Sequence, residues 1–312
     1  MSACEAILFC SALDDPQAWK KAVLAELPGA SFHIYPDVPD PAAITAALVW
    51  LPPEGVFAPL RNLRLIVNLG AGVDSLMGRD DLPDVPITRL SDPGMVALMT
   101  SYVLFAVLRY ARDIDKFEAA QRAGAWRYIH PRALSTVTVG VLGLGELGAA
   151  AAQALAALGL DVRGWSRGAK TVPGVECLHG EEALDGLLAE VEILVILLPL
   201  TAGTHGLMSQ ARLRRMRPGA KLVNAARGAI VDEEALIRCL ADGHLASATL
   251  DVFVSEPLPR ESPLWTMPNV LITPHLASIT VPEAAARDVA ESIRRVGRGL
   301  PPLHQIDPRR GY

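Results

Sequence analysis

Three polar residues stand just after apolar runs in the C-terminal half of this 312-residue chain. Arg227 follows AKLVNAA, Glu256 comes three residues after ASATLDVF, and His275 follows NVLITP. Open parallel sheets bind ligands at the carboxyl ends of their strands, so three such ends can converge on one site. The three residue types divide the work of reducing a 2-oxo acid, which needs a hydride at the carbonyl carbon and a proton at its oxygen. Protonated His275 suits the proton donor. Glu256 beside it would favour the imidazolium and fix its orientation. Arg227 offers a planar fork to the substrate carboxylate and carbonyl oxygen. Taken singly, each also reads as a structural or solvated polar residue, His275 as a cap or a core hydrogen-bond partner.

What gives the set meaning lies upstream. Gly143-Leu144-Gly145-Glu146-Leu147-Gly148 follows the apolar run TVTVGVL and opens the helix-like stretch ELGAAAAQALAAL. That strand–turn–helix context is what a GxGxxG needs to indicate dinucleotide binding. Gly143 permits a tight turn, Gly145 lets backbone approach a pyrophosphate, and Gly148 lets the helix pack close to the strand. The helix N-terminus, at Glu146 and Leu147, offers N–H groups to the phosphates. An NAD site usually places an acid about 20 residues on, to hold the ribose 2′-hydroxyl. Here the next strand candidate, DVRGW, runs into Ser166-Arg167-Gly168-Ala169-Lys170, with no carboxylate in the turn. Arg167 and Lys170 can neutralise a 2′-phosphate and the Ser166 hydroxyl can donate to it, so NADP(H) is expected in preference to NAD(H). The plain alternative is a basic surface loop.

These residues need a scaffold, and the pattern supplies one. AILFC, FHIY, ALVWL and LRLIVNLG read as strands of a first α/β unit within residues 1–90, with DDPQAWKKAVLAEL as a helix capped by Asp14 or Asp15. A stretch from Pro93 to Leu108 has no charged residue or His. It is too short and too polar for a span, and it reads as the start of one long buried helix running to about Gly124. Residues 136–275 repeat the α/β rhythm, with TVTVGVLGLG, DVRGW, VEILVILLP, AKLVNAA, ASATLDVF and NVLITP as strands. DEEALIRCLADGH is helix-like, with acids first and Gly243 near its end. Apolar strands without alternation indicate a parallel sheet covered on both faces. The closing stretch PEAAARDVAESIRRVGRG reads as a helix returning to the first unit.

Composition narrows the classes. Lys and Arg total 29 against 34 Asp and Glu, a net charge of −5, which disfavours nucleic acid or an anionic membrane as partner. With 51% hydrophobic and 20% charged residues, large cores are affordable and wholesale disorder is excluded. The start MSACEAILFCSALDD has an acid within its short apolar run and no basic opening, so it reads as a first strand rather than a signal peptide. Cys4, Cys10, Cys177 and Cys239 form no CxxC, and reduced thiols in a cytoplasmic protein are expected. The seven histidines make no HExxH or Cys/His cluster, so no metal site is expected.

The chain resembles the D-isomer-specific 2-hydroxyacid dehydrogenase family, and within it the glyoxylate/hydroxypyruvate reductase branch. The resemblance rests on LGAGVDSL at 69–76, GLGELG at 143–148, WSR at 165–167, LLPLT at 197–201, NAARG at 224–228, LDVF at 250–253, SEP at 255–257 and TPH at 273–275. It implies two α/β domains, both Rossmann-like doubly wound parallel sheets, with an interdomain cleft. Residues 1–100 plus 283–312 would form a discontinuous substrate domain and 101–282 the dinucleotide-binding domain. It also implies Arg227 as substrate-orienting residue, Glu256 as the histidine's partner and His275 as acid/base. Asp251 would hold the nicotinamide carboxamide, and backbone near Pro199, Thr201 and Ala225 would line the cofactor. Residues 70–74 resemble the family's substrate loop, in which N–H groups such as those of Ala71 and Gly72 form a small anion nest. Trp50 stands where the reductase branch has an aromatic near the substrate. Met95, Met99 and Tyr102 either face the cleft or pack in the core. A homodimer formed through the cofactor domain is implied as well.

There are departures. Ser101 stands where family members often carry Glu, and no acid follows the second strand of the cofactor domain. Glu256 rather than Gln argues against the formate-oxidising branch. The leading expectation is therefore NADPH-dependent reduction of a small 2-oxo acid, glyoxylate or hydroxypyruvate. The alternatives are a dehydrogenase of a larger D-2-hydroxy acid and a non-catalytic NADP-sensing module.

Overall fold

The computed structural model describes residues 5–307. The expectation for Cys4 lies outside the described residues. The chain divides into two compact units, one running up to Met95 and resuming at Ile279, the other covering Val96–Ser278.

The first unit holds a five-stranded sheet. Its strands are β1 (Ala6–Ser11), β2 (Ser31–Ile34), β3 (Ala46–Trp50), β4 (Leu65–Asn68) and β5 (Ile87–Arg89), in the order β2-β1-β3-β4-β5. Every pairing is parallel. β1, β3 and β4 are buried on both faces, which is why their apolar residues run without alternation. Helix α1 (Pro16–Glu26) starts where the Asp15 side chain accepts the Gln17 N–H at 2.9 Å, with Pro16 in the first turn, where a missing N–H costs nothing.

Helix α2 (Pro93–Ala111) carries the chain into the second unit, and α3 (Ile114–Arg122) follows. The single helix expected to run to Gly124 is therefore two helices. Asp113, at φ +56° in the left-handed region, breaks it and makes an ion pair with Lys116 at 2.7 Å. By length and composition α2 could cross a membrane. Its Val103, Ala106, Val107 and Tyr110 are instead buried in this unit's core.

Seven strands build the second sheet: β6 (Thr138–Leu142), β7 (Asp161–Ser166), β8 (Glu176–His179), β9 (Ile193–Ile196), β10 (Ala220–Asn224), β11 (Leu245–Leu250) and β12 (Val270–Ile272). Their order is β12-β11-β10-β9-β6-β7-β8, and all pairings are parallel. Strand order reverses between β6 and β9, the switch point where such sheets bind ligands. Around the sheet lie α4 (Glu146–Ala157), α5 (Glu181–Glu190), α6 (Gln210–Arg215) and α7 (Glu233–Ala241), the last capped by Asp232 on the Ala235 N–H at 3.0 Å. The last helix, α8 (Pro282–Gly297), belongs to the first unit. It buries Ala285, Ala286, Val289, Ala290 and Ile293, packs against α1, and Arg294 donates to Glu26 O at 2.6 Å. Two strands escape a reading of the sequence. β5 is three residues long, and β8, Glu-Cys-Leu-His on the sheet edge, has no apolar run.

Candidate active site

Parallel strands all end on the same side of a sheet. In the second unit those ends carry the glycine turn after β6, residues 166–170 after β7, 197–201 after β9, 225–228 after β10, 251–256 after β11 and 273–277 after β12.

The glycine turn divides its labour as its spacing suggests. Gly143 has φ +102°, and a Cβ there would stand 2.6 Å from Leu197 O. At Gly148 a Cβ would come within 1.8 Å of Gly143 O, so only glycine lets α4 sit this close to the turn. Gly145 is different: a Cβ there would meet nothing within 4 Å. It is the N-cap of α4, and as glycine it brings no capping side chain of its own. The first-turn N–H groups at Glu146 and Leu147 therefore face a position that an anion can approach. Replacing Gly148 by Ala should cost at least about 1–3 kcal/mol, because backbone rather than a side-chain tip must yield. Urea unfolding midpoints of wild type and variant would measure the loss.

After β7, Ser166 is buried and its hydroxyl donates to Gly168 O at 2.8 Å, closing the turn. Arg167 and Lys170 are exposed on it. After β9, Thr204 is the organiser that the sequence did not reveal. It donates to Pro199 O at 2.6 Å and accepts the Thr201 N–H at 2.8 Å, so one hydroxyl shapes the whole 199–201 backbone. After β10, Ala225 is buried.

His275 and Glu256 meet directly. His275 Nδ1 lies 2.7 Å from Glu256 Oε2, and Glu256 Oε1 accepts the Phe253 N–H at 2.9 Å. Both oxygens are committed, and the carboxylate orients the imidazole through Nδ1. Burial pushes the Glu256 carboxyl up, but the His275 hydrogen bond, the Phe253 N–H and the charges of His275 and Arg227 outweigh it and hold it below the usual glutamate range. Arg227 donates to its own Ala226 O at 2.7 Å, and Asn224 fixes that loop by donating to Arg227 O at 3.0 Å and accepting the Ala226 N–H at 3.1 Å. Gly228 brings the loops together. A Cβ there would lie 2.0 Å from the Phe253 carbonyl carbon, so the β10 and β11 loops touch backbone to backbone.

His275 adopts φ +54°, uncommon for a residue with a Cβ. The buried Asp251 carboxylate supports that conformation. Its Oδ1 accepts from Thr273 Oγ1 at 2.6 Å and Leu276 N at 3.0 Å, its Oδ2 accepts from Ala277 N at 2.9 Å, and its backbone O accepts from His275 N at 2.8 Å. Tyr102 extends the chain, its phenol 2.6 Å from Thr273 Oγ1. Thr273 has one proton and gives it to Asp251, so Tyr102 is the donor. Burial pushes the phenol up to about 12, with the Thr273 hydrogen bond pulling down and the Asp251 charge adding to the rise, so it keeps that proton. Met99 is buried in the core of this unit and Met95 is buried in the first. Ser101 is exposed and bonds back to Leu98 O at 2.8 Å.

The remaining expected residues, Trp50, Ala71 and Gly72, lie together in the first unit. The Trp50 ring covers Gly70, where a Cβ would stand 2.4 Å from Cζ3. Asn68, which the sequence reading passed over, ties the 70–72 turn to β4. The loop after β3 is pinned too: Arg79 donates to Pro52 O at 2.7 Å, Pro53 O at 2.9 Å and Asp81, which itself accepts the Gly55 N–H at 2.8 Å. The Arg79 hydrogen bonds hold the Asp81 carboxyl down at about 2, against the opposing effect of burial and with help from the Gly55 N–H. A depressed carboxyl stabilises the fold above its unfolded value, near 4, and loses that contribution as pH falls toward 2. Asp81→Asn should therefore be less stable than wild type at pH 7, with the gap narrowing between pH 4 and 3. Urea midpoints across that range would show it.

With this geometry in view, likeness to known proteins is specific. The family model for the D-isomer specific 2-hydroxyacid dehydrogenase, NAD binding domain, matches residues 104–277. The chain is 39% identical to glyoxylate/hydroxypyruvate reductase A of Serratia proteamaculans, over 98% of this chain and 99% of that one. A D-isomer specific 2-hydroxyacid dehydrogenase from Xanthobacter autotrophicus Py2, solved with NADPH and MES, is 58% identical with a TM-score of 0.95, over 99% of this chain and 100% of that one. The NADPH-dependent glyoxylate/hydroxypyruvate reductase of Sinorhizobium meliloti, solved with NADP and sulfate, is 34% identical with a TM-score of 0.93, over 99% and 100% of the two chains. Strand-end loops carrying an Arg, a Glu–His pair and a glycine turn, on parallel α/β sheets with these relatives, establish that the chain belongs to the D-isomer specific 2-hydroxyacid dehydrogenase family.

Proposed function

We propose that this protein is an NADPH-dependent reductase of small 2-oxo acids, converting glyoxylate to glycolate and hydroxypyruvate to D-glycerate. The observation that carries the reading is the His275–Glu256 pair at 2.7 Å, in the same rim of strand-end loops as the open glycine at 145.

The residues fit a dinucleotide. Gly145 and the start of α4 take the pyrophosphate, while Arg167 and Lys170 take a ribose 2′-phosphate; Ser166, expected to donate to that phosphate, instead closes the turn on Gly168 O. Pro199, Thr201 and Ala225 border the nicotinamide half, and Asp251, with its Oδ2 accepting one hydrogen bond, has capacity left for the carboxamide. When bound, the reduced nicotinamide supplies a hydride to the substrate's carbonyl carbon. Arg227 pairs with the substrate carboxylate and polarises the carbonyl oxygen. His275 Nε2 gives that oxygen a proton, and Glu256 holds the ring in place through Nδ1. Ala71 and Gly72 offer backbone N–H groups to the carboxylate, and Trp50 borders the substrate. In this reading residues 1–100 with 283–312 serve the substrate and 101–282 the cofactor.

We also propose a cytoplasmic homodimer. Trp126 is 100% exposed and Tyr128 79%, on the irregular stretch after α3, and Leu98 and Phe105 are exposed on α2. A second copy covering them would remove a large aromatic area from water. Trp126→Ala combined with Phe105→Asp should shift the species seen by sedimentation from dimer to monomer. An unchanged dimer would place the interface elsewhere.

Product analysis tests the activity. Each NADPH oxidised should yield one glycolate from glyoxylate, or one D-glycerate from hydroxypyruvate. L-glycerate, or oxidation without either product, would refute the reading.

A further inference from the structure

We infer that Asn68 is a positioning residue for the substrate carboxylate: its buried carboxamide fixes the peptide orientations of the Gly70–Gly72 turn. The inference rests on the substrate role proposed for Ala71 and Gly72, of which the clamp sets the Ala71 N–H directly.

Asn68 ends β4 and is fully buried. Its Nδ2 donates to Gly70 O at 2.8 Å and to Gly72 O at 2.9 Å. A primary amide has two N–H bonds, so both are spent on this turn. Across a trans peptide the carbonyl and the following N–H point in opposite directions. Drawing Gly70 O and Gly72 O toward Asn68 therefore turns the N–H groups of Ala71 and Val73 away from it. Neither N–H makes a hydrogen bond among the described residues.

The clamp matters because the turn has little else to hold it. Gly70 O also accepts the Leu90 N–H at 3.2 Å, Leu69 O accepts from Thr280 Oγ1 at 2.6 Å, and the Trp50 ring covers Gly70. Gly72, by contrast, is held by Asn68 alone among the described residues. A glycine peptide without that tether rotates easily. The amide's other end shows what the clamp costs. Asn68 Oδ1 is buried with no hydrogen-bond partner. An apolar residue would fill this place without an unsatisfied oxygen, and only the two donated bonds would be lost. The carboxamide is thus aimed at the turn at the expense of its own oxygen.

The test uses NADPH-loaded full-length protein and oxamate, an unreactive 2-oxo acid analogue, with Asn68→Ala and Asn68→Ser. The expected result is an oxamate Kd and a glyoxylate KM raised about tenfold or more, kcat within about threefold, and NADPH Kd unchanged. Oxamate should also slow hydrogen exchange in wild-type peptides spanning residues 70–74, a readout that needs no variant to fold. Unchanged oxamate affinity in a folded variant would overturn the inference, as would absence of that protection. Oxamate binding that depends on Asn68 in a protein that turns over no 2-oxo acid would keep the clamp and refute the reductase reading. A wild type that binds no oxamate would refute both.

Discussion

Replacing His275 by Ala lowers kcat by about 10²–10⁴-fold, the usual worth of a positioned acid, and leaves NADPH affinity within about twofold of wild type. The reasoning is positional. His275 Nδ1 is bound to Glu256, which orients the ring, and in the proposed reaction Nε2 delivers the proton. The dinucleotide contacts proposed above come from the β6 turn, the β7, β9 and β10 loops and Asp251 after β11; the His275 imidazole bonds to Glu256, and residue 275 meets Asp251 through its main chain, which the variant keeps. The loop itself survives the change, because Asp251 holds it through Thr273, Leu276, Ala277 and the His275 backbone N–H, and only the last of these comes from residue 275, through its main chain. Steady-state kinetics with glyoxylate, paired with fluorescence titration of NADPH, separate the two quantities. Turnover near wild type would show that another group donates the proton.

Changing Arg167 to Asp raises the NADPH Kd by about 10–100-fold, the scale of one charge-assisted hydrogen bond of about 1.5–3 kcal/mol, while the NADH Kd moves by less than about threefold. Arg167 is exposed on the turn after β7, where an acid would face a ribose 2′-hydroxyl and a base faces a 2′-phosphate. Ser166 spends its hydroxyl on Gly168 O, so in this geometry the charge of the turn rests on Arg167 and Lys170. Titrating both cofactors against both proteins gives the comparison. An equal loss for NADH would mean that Arg167 serves the shared part of the dinucleotide or the loop itself.

How much of this was legible in the sequence depended on whether the signal was local. Apolar runs revealed β6 and β9, since a strand buried on both faces has no polar side, and the Leu222–Val223 core of AKLVN was enough to reveal β10. β5 and β8 carry no such run and emerge only from pairing with a neighbour. The break between α2 and α3 has no Gly or Pro to announce it. It comes from a left-handed Asp113, whose sequence context, RDID, looks like the charged end of a longer helix. Arg227, Glu256 and His275 stood out as polar residues after apolar runs, and Gly143, Gly145 and Gly148 by their spacing. The supports did not stand out, because they act across the fold. Tyr102 and Thr273 meet from 171 residues apart. Thr204 and Asn68 each organise a loop through one side chain, and an isolated threonine or asparagine carries no pattern. Asn68 did offer the cue used for Arg227, a polar residue closing the apolar run LIVN.

The central claim is that a small 2-oxo acid is reduced with NADPH. Its most direct test is the rate of reduced-nicotinamide oxidation in a four-way comparison of NADPH or NADH with glyoxylate or hydroxypyruvate, with pyruvate and phenylpyruvate as controls. The account predicts fast oxidation of NADPH with the two small acids, slower oxidation of NADH, and little with phenylpyruvate. Tight NADPH binding with no oxidation by any of these acids would contradict it and point to a protein that senses the cofactor without turning it over.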